Sequence, residues 1–163
     1  MDYYLIEADR NINRPLKFTY YSDKESLNVH AVIKADISKE TKLIDYVRMI
    51  KLQKVYHVFS DKIKNVIEAY NENIEYYGIF VTSHNMKKQY AYWRLDTLHL
   101  KRYVIENNIK IHDKVFDKNE LKDNEIICIV QKKQDNIAIR EDLAESILRR
   151  CPIGINLKRL NVK

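Results

Sequence analysis

The sequence predicts an α+β fold: a mixed, mainly antiparallel sheet with a few helices packed on it. Three observations point there. Short apolar runs alternate with polar residues at a period of two, the period of a half-buried strand. Two stretches, 56–82 and 137–162, each read as strand–helix–strand. Only two Gly and two Pro occur in 163 residues, so no flexible linker separates domains. The expectation is a single domain over 1–163, with 1–45 as its less regular N-terminal portion. A chain of this length buries roughly two-thirds of its unfolded surface, enough for a core without staples.

Taken in order, residues 3–6 read as a first strand and 9–15 as a loop ending in Pro15. Residues 30–35 alternate around Val32 and Ile33. Residues 43–55 fit two templates: Leu43, Val47 and Ile50 make a helical face, while Val47 and Met49 suit a strand. A strand at 56–59 then enters a helix. Ser60 is a good N-cap because its hydroxyl accepts from a first-turn N–H, and Asp61 favours the positive end of the dipole. Ile63, Val66, Ile67 and Tyr70 make its apolar face. Residues 74–82 and 89–95 form an antiparallel hairpin, with Ala91, Trp93 and Leu95 on one face and Tyr90, Tyr92 and Arg94 on the other. Residues 98–105 read as a short helix. In 109–116 Ile109, Ile111 and Val115 alternate and Phe116 packs inward. The run at 126–130 is continuously apolar, as in a central strand covered on both sides. A polar turn over 131–136 leads to Ile137 and Ile139. The last helix buries Leu143, Ala144, Ile147 and Leu148 and stops at Pro152. A closing strand fills 153–162.

The two strand–helix junctions compare as Ser60/Arg140, Asp61/Glu141, Ile63/Leu143 and Ile67/Ile147. That match follows the general pattern of such a junction and does not by itself establish a duplication. Arg140 stands at the second N-cap position, where it caps poorly.

Composition narrows the function classes. At 45% hydrophobic and 32% charged, the chain is of globular rather than disordered type. No run approaches the roughly 20 apolar residues of a membrane span, and the opening residues carry acids where a secretory signal needs bases. The expected location is the cytoplasm. Cys128 and Cys151 lie outside any metal or disulfide pattern and are expected to be buried thiols. The net charge of +6 is dispersed over separated basic pairs with acids between them. That describes a solvated surface better than a phosphate-binding one, whose charge is concentrated.

No catalytic motif emerges. The histidines His30, His57, His84, His99 and His112 show no metal-ligand spacing, and glycines at 78 and 154 alone exclude phosphate-cradling loops. The reading is therefore no enzyme, no cofactor and no metal site. One feature suggests recognition. Tyr90, Tyr92 and Arg94 form a stripe on the presumed outer face of the hairpin, with Tyr76 or Tyr77 opposite. Tyr and Arg anchor protein interfaces because each buries much area and keeps a polar handle. Tyr is also simply a good strand former on a half-buried sheet.

The strand leading into a Ser-capped helix (Ser60, Ile63), the tyrosine-rich hairpin and the junction Glu141, Leu143, Ala144, Ile147, Leu148 with Gly154 after it resemble a known family. These are bacterial immunity proteins of polymorphic toxin systems, a group long catalogued as a domain of unknown function. The resemblance runs from about Tyr46 to the C-terminus. It implies a non-enzymatic protein that binds a cognate toxin and blocks its active surface, and it assigns no contact residues. On that reading Tyr90, Tyr92, Trp93 and Arg94 are the candidate partner-binding residues. The alternative is a basic nucleic-acid-binding module.

Overall fold

A computed structural model describes residues 1–18, 30–51 and 53–163. Its first half contains β1 (Tyr3–Ala8), β2 (Ala31–Ala35), β3 (Tyr46–Lys51), β4 (Lys54–Ser60), α1 (Asp61–Tyr70), β5 (Tyr76–Ser83) and β6 (Gln89–Leu95). Then come β7 (Lys101–Val104), a 3-10 turn at Ile111–Asp113, β8 (Val115–Phe116) and α2 (Lys118–Leu121). The chain closes with β9 (Ile126–Gln131), β10 (Gln134–Arg140), α3 (Glu141–Leu148), β11 (Ile155–Arg159) and β12 (Asn161–Val162). One sheet runs β11-β1-β10-β9-β7 and a second runs β2-β5-β6-β4-β3, with β8 and β12 as a separate parallel pair. Most pairings are antiparallel; β2 with β5 and β7 with β9 are parallel. The α+β class is as the sequence predicts. No helix among the described residues is long and apolar enough to cross a membrane.

Each sheet contains the same device. A hairpin (β3-β4, β9-β10) feeds a helix (α1, α3), and the chain returns as a strand (β5, β11) two places away in the sheet. An antiparallel strand fills the gap: β6 in one case, the N-terminal β1 in the other. The equivalences hold at a constant offset of 80 residues, from Asp45/Glu125 through Ser60/Arg140 to Ile67/Ile147. The main chain bears this out: Ser60 N donates to Asp45 O at 3.0 Å and Arg140 N to Glu125 O at 2.8 Å. The resemblance between the junctions therefore extends to a repeated half-domain, hidden because the missing strand of the second copy is at the other end of the chain.

The helices form for the reasons their sequences give. The Ser60 hydroxyl accepts from Ile63 N, and α1 buries Ile63, Val66 and Ile67. At α3 the cap is Arg140, whose side chain makes no capping bond. Its guanidinium instead holds Asp142 at 2.7 and 2.8 Å and Glu125 at 3.3 Å. That pairing keeps the Asp142 carboxyl below its usual range. The main core joins both sheets through α1 and α3, with Phe59, Ile63, Ile67, Ile137, Ile139 and Ile147 at its centre. A second core covers the far face of the first sheet, and a third, with Leu16, Val58, Val81 and Tyr92, covers the far face of the second.

Several expectations are corrected. Residues 101–104 are a strand rather than part of a helix, because pairing beside β9, whose first four residues are buried, satisfies their main chain and outweighs local preference. The ambiguous stretch 43–55 resolves into β3 and the start of β4. The expected polar turn at 131–136 shrinks to two residues, Lys132 and Lys133, both with positive φ. Cys128 is buried as expected, but Cys151 is exposed in the left-handed turn that ends α3. The N-terminal portion provides β1, which lies between β11 and β10.

Candidate functional site

Strand β6 lies between β5 and β4, so its two faces look onto different surroundings. On the α1 side, the half-buried Trp93 donates from Nε1 to Asp61 Oδ1 at 2.9 Å. Its ring meets His30 and Phe80 edge-on at 6.5 and 6.2 Å, and those two rings meet each other at 6.4 Å. Lys64 Nζ sits 5.4 Å from the Trp93 centroid and 5.2 Å from that of Tyr76. The patch exists because Gly78 has no side chain: a Cβ there would stand 2.9 Å from His30 Nδ1 and 3.0 Å from the Phe80 ring. The Gly78 N–H donates to that same nitrogen at 2.7 Å. Burial pushes the Tyr76 phenol well above its usual range, and its buried hydroxyl has no partner among the described residues.

The opposite face is not an outer face. Tyr92 is 2% exposed, its ring packed on Phe18 and its hydroxyl donating to Ile44 O at 2.8 Å. Tyr90 is half-buried against the same third core. Both are held there because Leu16, Phe18 and Ile37 cover this side of the sheet. The sequence reading failed here because the cover comes from a distant, irregular segment without a periodic pattern.

Arg94 is 6% exposed and its guanidinium lies between two aromatic rings, 4.5 Å from the Tyr77 centroid and 5.5 Å from that of Tyr56. Register makes Tyr77, rather than Tyr76, its direct cross-strand neighbour. Arg94 lines a cavity of ≈ 310 Å³ that also reaches Lys54, Leu98, Arg102, Lys133 and Asp135. Of the four candidate residues, then, one joins an open aromatic patch, two pack into the third core, and one faces a cavity.

The sequence matches no family model and no curated protein.

Two further clusters involve residues that the motif search passed over singly. His57, in β4, is 1% exposed. Its Nε2 donates to Asp135 O at 3.0 Å, since a carbonyl can only accept, which leaves Nδ1 to accept from the Tyr46 hydroxyl at 2.7 Å. The ring ties one sheet to the other, and burial lowers its pKa to about 4, so it is neutral there. It is a structural histidine. Separately, ligand atoms of Glu75, Asp96 and His99 lie within 4.8 Å of one another, a geometry able to share one cation. Glu75 already accepts from the Tyr77 hydroxyl and Asp96 from Leu98 N–H, both near the surface. Asp96 and His99 are three residues apart in the chain; Glu75 joins them because the register of β5 with β6 brings it beside Asp96.

Proposed function

We propose that this protein is a non-enzymatic immunity protein that binds and neutralises a cognate bacterial toxin. The observation that carries the reading is the aromatic patch of His30, Phe80 and Trp93 beside Lys64. Trp, Tyr and Phe dominate interface cores because rigid rings bury large areas at small entropic cost, and a cation over a ring face adds orientation. Phe80 and Trp93 are half-buried on strands β5 and β6 rather than on a loop, so these two rings are presented without prior ordering. The motifs behind the family resemblance support the scaffold: Ser60 and Glu141–Leu148 occupy the two equivalent strand–helix junctions. Within this reading Trp93 is the anchor, while Tyr92 supports it from the core.

The test is a growth rescue. Each gene neighbouring this one in its source genome is induced in a naive bacterial host, alone or with this protein. The expected result is that one neighbour arrests growth, that the protein restores it, and that Trp93→Ala weakens rescue and lowers affinity by over about 1 kcal/mol. Toxicity that persists despite folded protein defeats the reading. A nucleic-acid module would instead show binding to oligonucleotides that collapses between low and moderate salt.

A further inference from the structure

The cavity beside Arg94 lies between the tips of the two equivalent hairpins: Lys54 follows the β3-β4 turn and Lys133 sits in the β9-β10 turn. Its chemistry is unbalanced in a specific way. Four cations line it, Lys54, Arg94, Arg102 and Lys133, against two carboxylates, Asp96 and Asp135. Asp135 is committed, holding Arg102 at 2.8 Å and accepting from the Thr97 hydroxyl at 2.6 Å. Arg94 has no hydrogen bond and no ion pair with any described residue, although it is over nine-tenths buried. A guanidinium carries five N–H donors and stays charged at any physiological pH, and no Arg94 nitrogen is fully enclosed, so its unpaired donors open onto the cavity. The Tyr56 and Tyr77 rings are near the guanidinium and supply cation–π attraction, but they accept no N–H bond of ordinary strength. The in-plane fork remains available, and that fork matches the paired oxygens of an oxyanion.

From this we propose that the cavity is a binding site for a small organic phosphate monoester, with Arg94 gripping the phosphate and Lys54 and Lys133 completing its charge. The excess of two positive charges complements a monoester, which carries about −1.5 to −2 at neutral pH. Val55, Leu95 and Leu98 offer apolar wall for the organic part, and the volume falls at the low end of the range for small-molecule sites. The site lies on the opposite face of β6 from Trp93, and the proposal does not depend on the toxin reading.

Isothermal titration calorimetry on the full chain at fixed ionic strength provides the test, with adenosine monophosphate, adenosine, inorganic phosphate and O-phosphoserine as probes. Saturable binding of adenosine monophosphate or phosphoserine, with adenosine silent, is the expected result. Whichever of the two binds tighter separates a free metabolite from a phosphorylated side chain as source. Arg94→Gln is expected to weaken binding about tenfold or more, the loss of one charge-assisted bidentate contact. Because Arg94 is buried, the exposed pair Lys54→Gln/Lys133→Gln is tested beside it and is expected to weaken binding several-fold in a folded protein. Adenosine binding as well as its monophosphate, no saturation by any phosphate up to about 1 mM, or undiminished binding in the lysine double variant each overturns the proposal.

Discussion

Tyr3 and Tyr92 occupy equivalent places in the two halves of the fold. Tyr92 pairs with Ser60 and Tyr3 with Arg140, the residues that lead into α1 and α3. Each buried hydroxyl reaches a carbonyl just ahead of the equivalent hairpin: Tyr92 to Ile44 O at 2.8 Å, Tyr3 to Asn124 O at 2.6 Å. Burial raises both phenol pKa values, that of Tyr3 to about 12. Removing either hydroxyl takes the donor from a part-buried carbonyl, so Tyr3→Phe and Tyr92→Phe should each cost about 1 kcal/mol. The two share no hydrogen-bond partner, and the double variant should be additive within about 0.5 kcal/mol by urea unfolding.

Asp45 is where the first half holds the second. One carboxylate oxygen accepts from the Ser60 hydroxyl at 2.6 Å, the other from Ile153 N at 2.7 Å, with Lys62 at 3.0 Å. The residue is 7% exposed, so Asp45→Ala leaves two donors unsatisfied in a dry setting. The expected loss is about 2–4 kcal/mol, and Asp45→Asn, which keeps one acceptor, should lose less. A loss below about 1 kcal/mol in Asp45→Ala would show that water replaces the carboxylate.

Stability should depend on pH through His57. Its folded pKa, about 4, lies below the ordinary 6.5, so the native state favours the neutral ring. The unfolded chain therefore takes up a proton first as pH falls. Full stability is present above 6.5 and drains away on descending toward 4, in all about 3 kcal/mol. Urea midpoints across that window should fall smoothly, and His57→Gln should flatten the slope. A wild-type curve that is level down to pH 4 would contradict the neutral tautomer assigned here.

Gly78→Ala probes the aromatic patch without touching its rings. The new Cβ meets the His30 and Phe80 side chains rather than backbone, and both rings have room to move. Folding should change by less than about 1 kcal/mol. Since Trp93 is the only tryptophan, its fluorescence should report the displaced His30 directly. Altered emission together with unaltered rescue of a toxin-arrested host would remove the patch from the binding surface.

Much of the scaffold was legible in the residues. Ser60 with Asp61, the Ile63–Ile67 face and the unbroken Ile126–Val130 run placed α1 and β9 correctly, because capping and period are local properties. The partner stripe was half legible. Alternation put Trp93 and Tyr92 on opposite faces, as found, yet said nothing of which face would be covered. Residues 98–105 misled for a related reason: β7 is a strand only because β9 lies beside it.

The α+β class, the two strand–helix–strand units and the want of a recognised catalytic motif could all be read from the residues, since each follows from short-range patterning. Long-range packing was needed to show that β1 completes the second half-domain, that Leu16 and Phe18 close over Tyr92, and that Arg94 lies between two rings facing a cavity. Those three depend on contacts between residues far apart in the chain, and burial at such contacts is set by what arrives from elsewhere.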